Sequence, residues 1–146
     1  MLKINLLAVV ISALLGACGF RVPADVASLN VSITGDTNSA FVVALKRYVK
    51  VGTVQSLTVQ IGDEVRKQQT VAYSAGVVRS YSLTLGVPVK IFRREALLLS
   101  KTLTESITVS ELSSQADRLQ IDASYAQLRK GIVMKLLRRL KALNAN

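Results

Sequence analysis

From Ser80 to Ile91 the chain alternates without a fault. Tyr81, Leu83, Leu85, Val87, Val89 and Ile91 are apolar, and Ser80, Ser82, Thr84, Gly86, Pro88 and Lys90 lie between them. Successive side chains of a strand point to opposite faces, so period two predicts a long strand with one face against a core. Such a strand needs neighbours to pair with and a layer to cover its apolar face. Pro88 has no backbone N–H, which predicts an edge position or a bulge there.

The flanking segments supply the neighbours. Leu57, Val59 and Ile61 alternate with Ser56, Thr58 and Gln60, and after Gly62-Asp63, a bulge or turn, the chain runs on to Val71 and Tyr73. Beyond the Arg93-Arg94-Glu95 turn, Leu97, Leu99, Leu103, Ile107 and Val109 share one parity. The short links predict antiparallel hairpins. Upstream, Leu29, Val31 and Ile33 form a further short alternating run.

Two segments have helical spacing. Phe41, Ala44, Leu45, Tyr48 and Val49 make one stripe after the turn residues Gly35-Asp36-Thr37-Asn38, with Asn38 or Ser39 as the cap. Ile121, Tyr125, Leu128, Ile132, Leu136, Leu140 and Leu143 make a longer one, widened by Leu119, Ala123, Ala126, Val133 and Leu137. Arg129, Lys130, Lys135, Arg138, Arg139 and Lys141 fall on its other face. Ser114 with Asp117 resembles a capping box, and Gly131 is an interior weak point costing ~1 kcal/mol against Ala. The expectation is an α+β domain of order β-α-β-β-β-α. Two helices pack on one face of a four-stranded, mostly antiparallel sheet. Helices fall near 38–51 and 114–142, and strands near 28–34, 55–73, 78–93 and 95–110. Leu83, Leu85, Val87, Val89, Leu128, Ile132 and Leu136 are expected in the core.

Residues 1–17 are read as a signal peptide. Met1 and Lys3 begin a segment that is almost wholly apolar from Ile4 to Leu15. Twelve residues of helix span roughly 18 Å, short of a ~30 Å hydrocarbon core. Leu15-Gly16-Ala17-Cys18 then resembles the bacterial lipobox: a branched apolar residue, two small ones and a Cys, which is the sole Cys of the chain. Cys18 would take a diacylglyceryl group and become the new N-terminus. With an amide-linked chain it anchors stably, since more than one buried acyl chain is required. Gly19 rather than Asp after the Cys points to the outer membrane by the rule of enteric bacteria. Residues 18–146 then form a single anchored domain.

Composition limits the chemistry. The 146 residues hold no His and one Cys, which excludes His-based triads, His-ligated metals and Cys-rich zinc sites. Asp63-Glu64 is adjacent rather than convergent, and a turn explains it better than a carboxylate pair. Neither an enzyme, a metal nor a cofactor is expected. The balance is 19 Lys and Arg against 9 Asp and Glu, a formal +10. In an extracytoplasmic chain the matching anions are phospholipid head groups, lipopolysaccharide phosphates or an acidic protein surface, rather than nucleic acid.

The lipobox, the following Cys18-Gly19-Phe20-Arg21, the order of elements and the stretch from Arg79 to Arg93 together resemble the lipopolysaccharide-assembly lipoprotein family LptE, also called RlpB. Val22 departs from the family's basic or His residue. The resemblance implies two helices against a four-stranded sheet. It also implies a lipoprotein that partners the outer-membrane β-barrel LptD as plug and assembly factor and helps insert lipopolysaccharide into the outer leaflet. The alternative is an accessory subunit of an envelope lipid transporter. Candidate contacts with lipopolysaccharide or the barrel are Arg66, Lys67, Arg79, Arg93, Arg94 and Arg118. Two basic family positions fall near Ser74 and Ala116, and Arg79 and Arg118 are the nearest basic residues to them.

Overall fold

The computed structural model describes residues 29–51, 57–110 and 114–145, with backbone alone for 72–74, 77–79 and 114–117. The signal peptide, Cys18 and the tether to Ser28 lie outside the described residues. In chain order the elements are β1 (Asn30–Gly35), α1 (Ala40–Lys46), β2 (Lys50–Val51), β3 (Leu57–Ile61), β4 (Val65–Ser74), β5 (Val77–Arg93), β6 (Ala96–Ser110) and α2 (Ser114–Asn144).

The alternating segment becomes β5, the strand on which the sheet is built. β6 runs antiparallel along one edge of it, from Arg93↔Ala96 to Ser80↔Ser110. The other edge is shared: β4 pairs with residues 77–86 and β3 with residues 89–92, both antiparallel. β1 joins β3 in parallel, with Val31 opposite Leu57, and β2 joins β1 in parallel. The sheet therefore has six strand segments in place of the expected four, and β1–α1–β3 is a parallel crossover that no hairpin reading supplies. The α+β class and the largely antiparallel pairing stand.

Pro88 explains why the expected strand near 55–73 is two. It lies neither on an edge strand nor at a bulge, but in the middle of β5 opposite Thr102. Its carbonyl accepts from Gly62 N–H at 2.9 Å. The N and O of one strand residue face the same side, so the nitrogen that lacks a hydrogen faces the Gly62–Glu64 link. The sheet is interrupted where β5 has no donor to give.

α1 is shorter than the expected helix. Ser39 caps it, its hydroxyl accepting from Val42 N–H at 3.3 Å. Asn38 N–H donates to Asp36 Oδ1 at 3.0 Å in the turn before it. Phe41, Val42 and Leu45 are buried, and the chain then leaves the helix to rejoin the sheet, where Lys50 N–H donates to Leu29 O at 3.0 Å. The valines there are β-branched and suit that extended exit. Gly35 closes β1 at φ +110°, and a Cβ there would lie 2.4 Å from Ile61 O, so no other residue fits.

Both helices lie on one face of the sheet. Val31, Leu57, Val59, Leu83, Leu85 and Ile91 of the strands meet Phe41 and Leu45 of α1 and Leu128, Ile132 and Leu136 of α2 in one core. All seven residues expected in the core are buried. Leu119 is not: it stays 76% exposed, in turns of α2 that precede the first buried position, Ser124. Gly131 has a use rather than a cost alone. A Cβ there would sit 3.2 Å from Glu105 Cγ, so the glycine lets α2 lie close on β6. The opposite face of the sheet, formed by the polar parity of β5 and β6, has no layer over it among the described residues.

Candidate interaction surfaces

Charged side chains first hold α2 in place. Arg129 belongs to the predicted polar face of that helix, yet its side chain is only 13% exposed. The guanidinium grips Glu64 in the β3–β4 link, Nε to Oε1 at 2.5 Å and a terminal nitrogen to Oε2 at 2.9 Å. This is the bidentate fork that Arg offers a carboxylate. The Arg129 hydrogen bond holds the Glu64 carboxyl below its usual range, against the opposing effect of burial. The same pair raises Arg129. Both carboxylate oxygens of Glu64 are thus engaged by Arg129. Asp63 beside it is exposed, so the two acids do not converge.

Arg66 stands on the helix-covered face of β4. It lies 3.7 Å from Glu64 and stacks over the Tyr125 ring at 4.8 Å, a cation–π contact. Tyr125 OH donates to Lys67 O at 3.1 Å. Lys67 itself is opposite Thr84 and so points to the uncovered face. The two adjacent candidates therefore serve different surfaces. Further along α2, Lys135 pairs with Glu105 at 2.9 Å and donates to Thr104 O at 2.7 Å. Its C-terminus is tied by Arg93, which donates to Leu143 O.

Of the remaining candidates, Arg94 sits in the β5–β6 turn at φ 55°, exposed. Arg118 is exposed near the start of α2. Arg79 is placed in β5 by its backbone, at the far end of that strand from Arg93 and Arg94, and its side chain lies outside the described residues. The candidates are thus distributed around the domain and form no single cluster. Sequence reading missed the Glu64–Arg129 pair, whose partners are 65 residues apart. The only local signal was a basic residue flanking an apolar stripe.

Between α1 and α2 runs a shallow groove of about 270 Å³, floored by Ala44, Ala126 and Val133 and rimmed by Arg47, Tyr48 and Lys130. Among the described residues no group of His, Cys, Asp and Glu could hold a metal ion. No helix among them is long and apolar enough to cross a membrane.

A largely antiparallel sheet carrying two helices on one face, with the other face bare among the described residues, defines a domain of α+β class. The chain belongs to the LptE family, described as lipopolysaccharide-assembly, whose model matches residues 26–140. Solved structures share the fold. A rare lipoprotein B from Shewanella oneidensis superposes with a TM-score of 0.70 at 12% identity, over 80% of this chain and 97% of that one. An uncharacterized lipoprotein B from Nitrosomonas europaea gives 0.68 at 21% identity, over 87% and 93%. A minor lipoprotein from Acinetobacter baumannii gives 0.55 at 13%, over 80% and 93%. No curated protein matches the chain in sequence.

Proposed function

We propose that this chain is an outer-membrane lipoprotein, cleaved after residue 17 and anchored through lipid on Cys18. Its single domain partners the LptD β-barrel as plug and assembly factor and helps deliver lipopolysaccharide to the outer leaflet. The observation that carries this reading is the family match across residues 26–140. Leu15-Gly16-Ala17-Cys18 stands just upstream of it. The protein acts by binding rather than by catalysis: its best-placed carboxylate, Glu64, is committed to Arg129. Arg79, Arg94 and Arg118 are the contacts proposed for lipopolysaccharide or the barrel that lie away from α2's fastenings. Arg66 and Arg93 contribute with the atoms their packing leaves open, and Lys67 acts from the other face.

Depletion of the protein in its own host tests this reading. The expected result is less correctly assembled barrel and less surface lipopolysaccharide. Unchanged levels of both would refute the function while leaving the fold intact.

A further inference from the structure

Several elements meet at one end of the sheet. Val31 of β1 is level with Val51 of β2 and Leu57 of β3. One residue on, Thr58 is level with Phe92, beside the Arg93-Arg94-Glu95 turn. Leu29, the first described residue, therefore lies at the same end as that turn. Both helices finish there too. Lys50 N–H, just past α1, donates to Leu29 O at 3.0 Å, and Arg93 donates to Leu143 O in the last turn of α2. This end presents cations and apolar side chains together. Arg47, Lys50, Arg94 and Lys141 are exposed, and Glu95 is the one carboxylate there among the described residues. The exposed Asp36 and Asp63 stand at the other end of β1 and β3, just past the Gly35↔Ile61 pair. Among the cations, Val51, Leu97 and Leu98 are exposed. Leu97 is opposite Phe92 and Leu99 opposite Ile91, so Leu98 is a bulge residue with no partner on β5. A bulge re-aims a side chain, and this one leaves two adjacent leucines of β6 in water.

Cations at the last turns of helices complement the dipole, which accounts for Arg47 and Lys141. It does not account for Lys50, Arg94 or the leucines. Apolar side chains set among Lys and Arg suit a lipid interface, where the former enter the acyl boundary and the latter meet head-group phosphates. The path of the chain favours the same occupant. Residues 19–28 span at most about 35 Å when fully extended. A lipid on Cys18 therefore holds this end, before any other part of the domain, against the bilayer. A second copy is a poor occupant, since a two-fold contact would set the four exposed cations against four more.

We infer that this end of the domain is a membrane-docking surface for anionic phospholipid, separate from the covalent anchor. Leu97, Leu98 and Val51 enter the interface, and Arg47, Lys50, Arg94 and Lys141 meet the head groups. The acyl chains on Cys18 hold the protein to the membrane, and this surface sets which way the domain stands on it. The inference rests on the lipid anchor proposed above and turns Arg94, one of the candidate contacts, toward phospholipid.

The chain has no Trp, so a single introduced indole reports its own surroundings. Leu97→Trp and Leu98→Trp are compared with Val71→Trp on β4 and Leu119→Trp at the start of α2, all exposed positions. Each full mature lipidated chain is placed in vesicles of phosphatidylethanolamine and phosphatidylglycerol brominated along the acyl chains. The indoles at 97 and 98 should be quenched roughly threefold more than those at 71 and 119, with a blue-shifted emission. Lys50→Glu with Arg94→Glu should lower the quenching at 98 about threefold, as should vesicles of phosphatidylcholine alone, with the thermal midpoint unchanged. Equal quenching at all four positions overturns the surface, as does quenching at 97 and 98 that the charge reversals leave intact or that needs lipopolysaccharide in the vesicle. A mature chain whose mass shows no acyl group on Cys18 refutes the anchor proposed above. Quenching of that chain by added vesicles still decides the surface, since absence of quenching at 97 and 98 overturns it.

Discussion

Glu64→Gln isolates the fastening between the β3–β4 link and α2. The side chains of Glu64 and Arg129 are 14% and 13% exposed. Breaking a fully buried ion pair from one side costs ~3–5 kcal/mol, whereas an exposed pair contributes ~0–1 kcal/mol. Both heads here retain a narrow route to water, and glutamine can still accept one of the two hydrogen bonds. The expected cost is therefore about 2–3 kcal/mol, that of one charge-assisted bond plus a partly stranded guanidinium. With an m-value of ~1.5 kcal/mol/M, the urea midpoint should fall by ~1.3–2 M. Glu105→Gln is the internal control. Its pair with Lys135 is 30% and 45% exposed, so its loss should cost below ~1 kcal/mol. The pH dependence gives a second arm. Arg129 lowers the folded-state value of Glu64, so ionised Glu64 stabilises the fold above its unfolded value of about 4.5. That contribution disappears as pH falls through the lower folded value. The wild type should lose stability faster than Glu64→Gln in that acid window. Equal midpoint shifts for the two variants, or parallel acid profiles of wild type and Glu64→Gln, would refute the argument.

Three further outcomes follow from the packing. Leu85→Ala and Ile132→Ala, both fully buried, should each cost ~2–5 kcal/mol in urea unfolding; losses below ~0.5 kcal/mol at both would reject the core. Gly35→Ala must place a Cβ 2.4 Å from Ile61 O at a positive φ, and chemical denaturation should show a loss of about 3 kcal/mol from overlap and backbone strain together. Gly131→Ala gains ~1 kcal/mol of helix propensity but presses on Glu105. Its effect should be near zero alone and become a ~1 kcal/mol gain in a Glu105→Ala background, a coupling that a double-mutant cycle measures.

Local pattern exposed the parts whose causes are local. The parity of Tyr81 to Ile91 fixed β5 and its buried face. The stripe through Leu128, Ile132 and Leu136 fixed the covering face of α2, and Ser39 marked the start of α1. What escaped depends on partners distant in sequence. The parallel match of β1 with β3 is decided by registers 26 residues apart, such as Val31 with Leu57. The break at Gly62–Glu64 needs Pro88 to be seen as its neighbour. Arg129 read as a solvent-facing cation because nothing near it in sequence is Glu64. Leu119 carried the right spacing, but periodicity cannot say which turns of a helix overlie the sheet. Among the candidate contacts, Arg66 and Arg93 were legible as cations near strand ends. Their attachments, to Tyr125 and to the last turn of α2, were not.

Because β5 is hydrogen-bonded to β3, β4 and β6 alike, it also sets an order of assembly. The β4–β5–β6 meander closes through two short turns, each a small loss of chain entropy. The β1–α1–β3 unit spans a parallel crossover and has no sheet to join until β5 exists. Contacts of short sequence separation form fastest, so the C-terminal meander is the template and the N-terminal unit docks onto it. Residues emerge in the opposite order, N-terminus first. The edge of β3 that will bond to residues 89–92 therefore stays unpaired while some thirty further residues are delivered. That interval is when this chain is most open to pairing with the wrong strand.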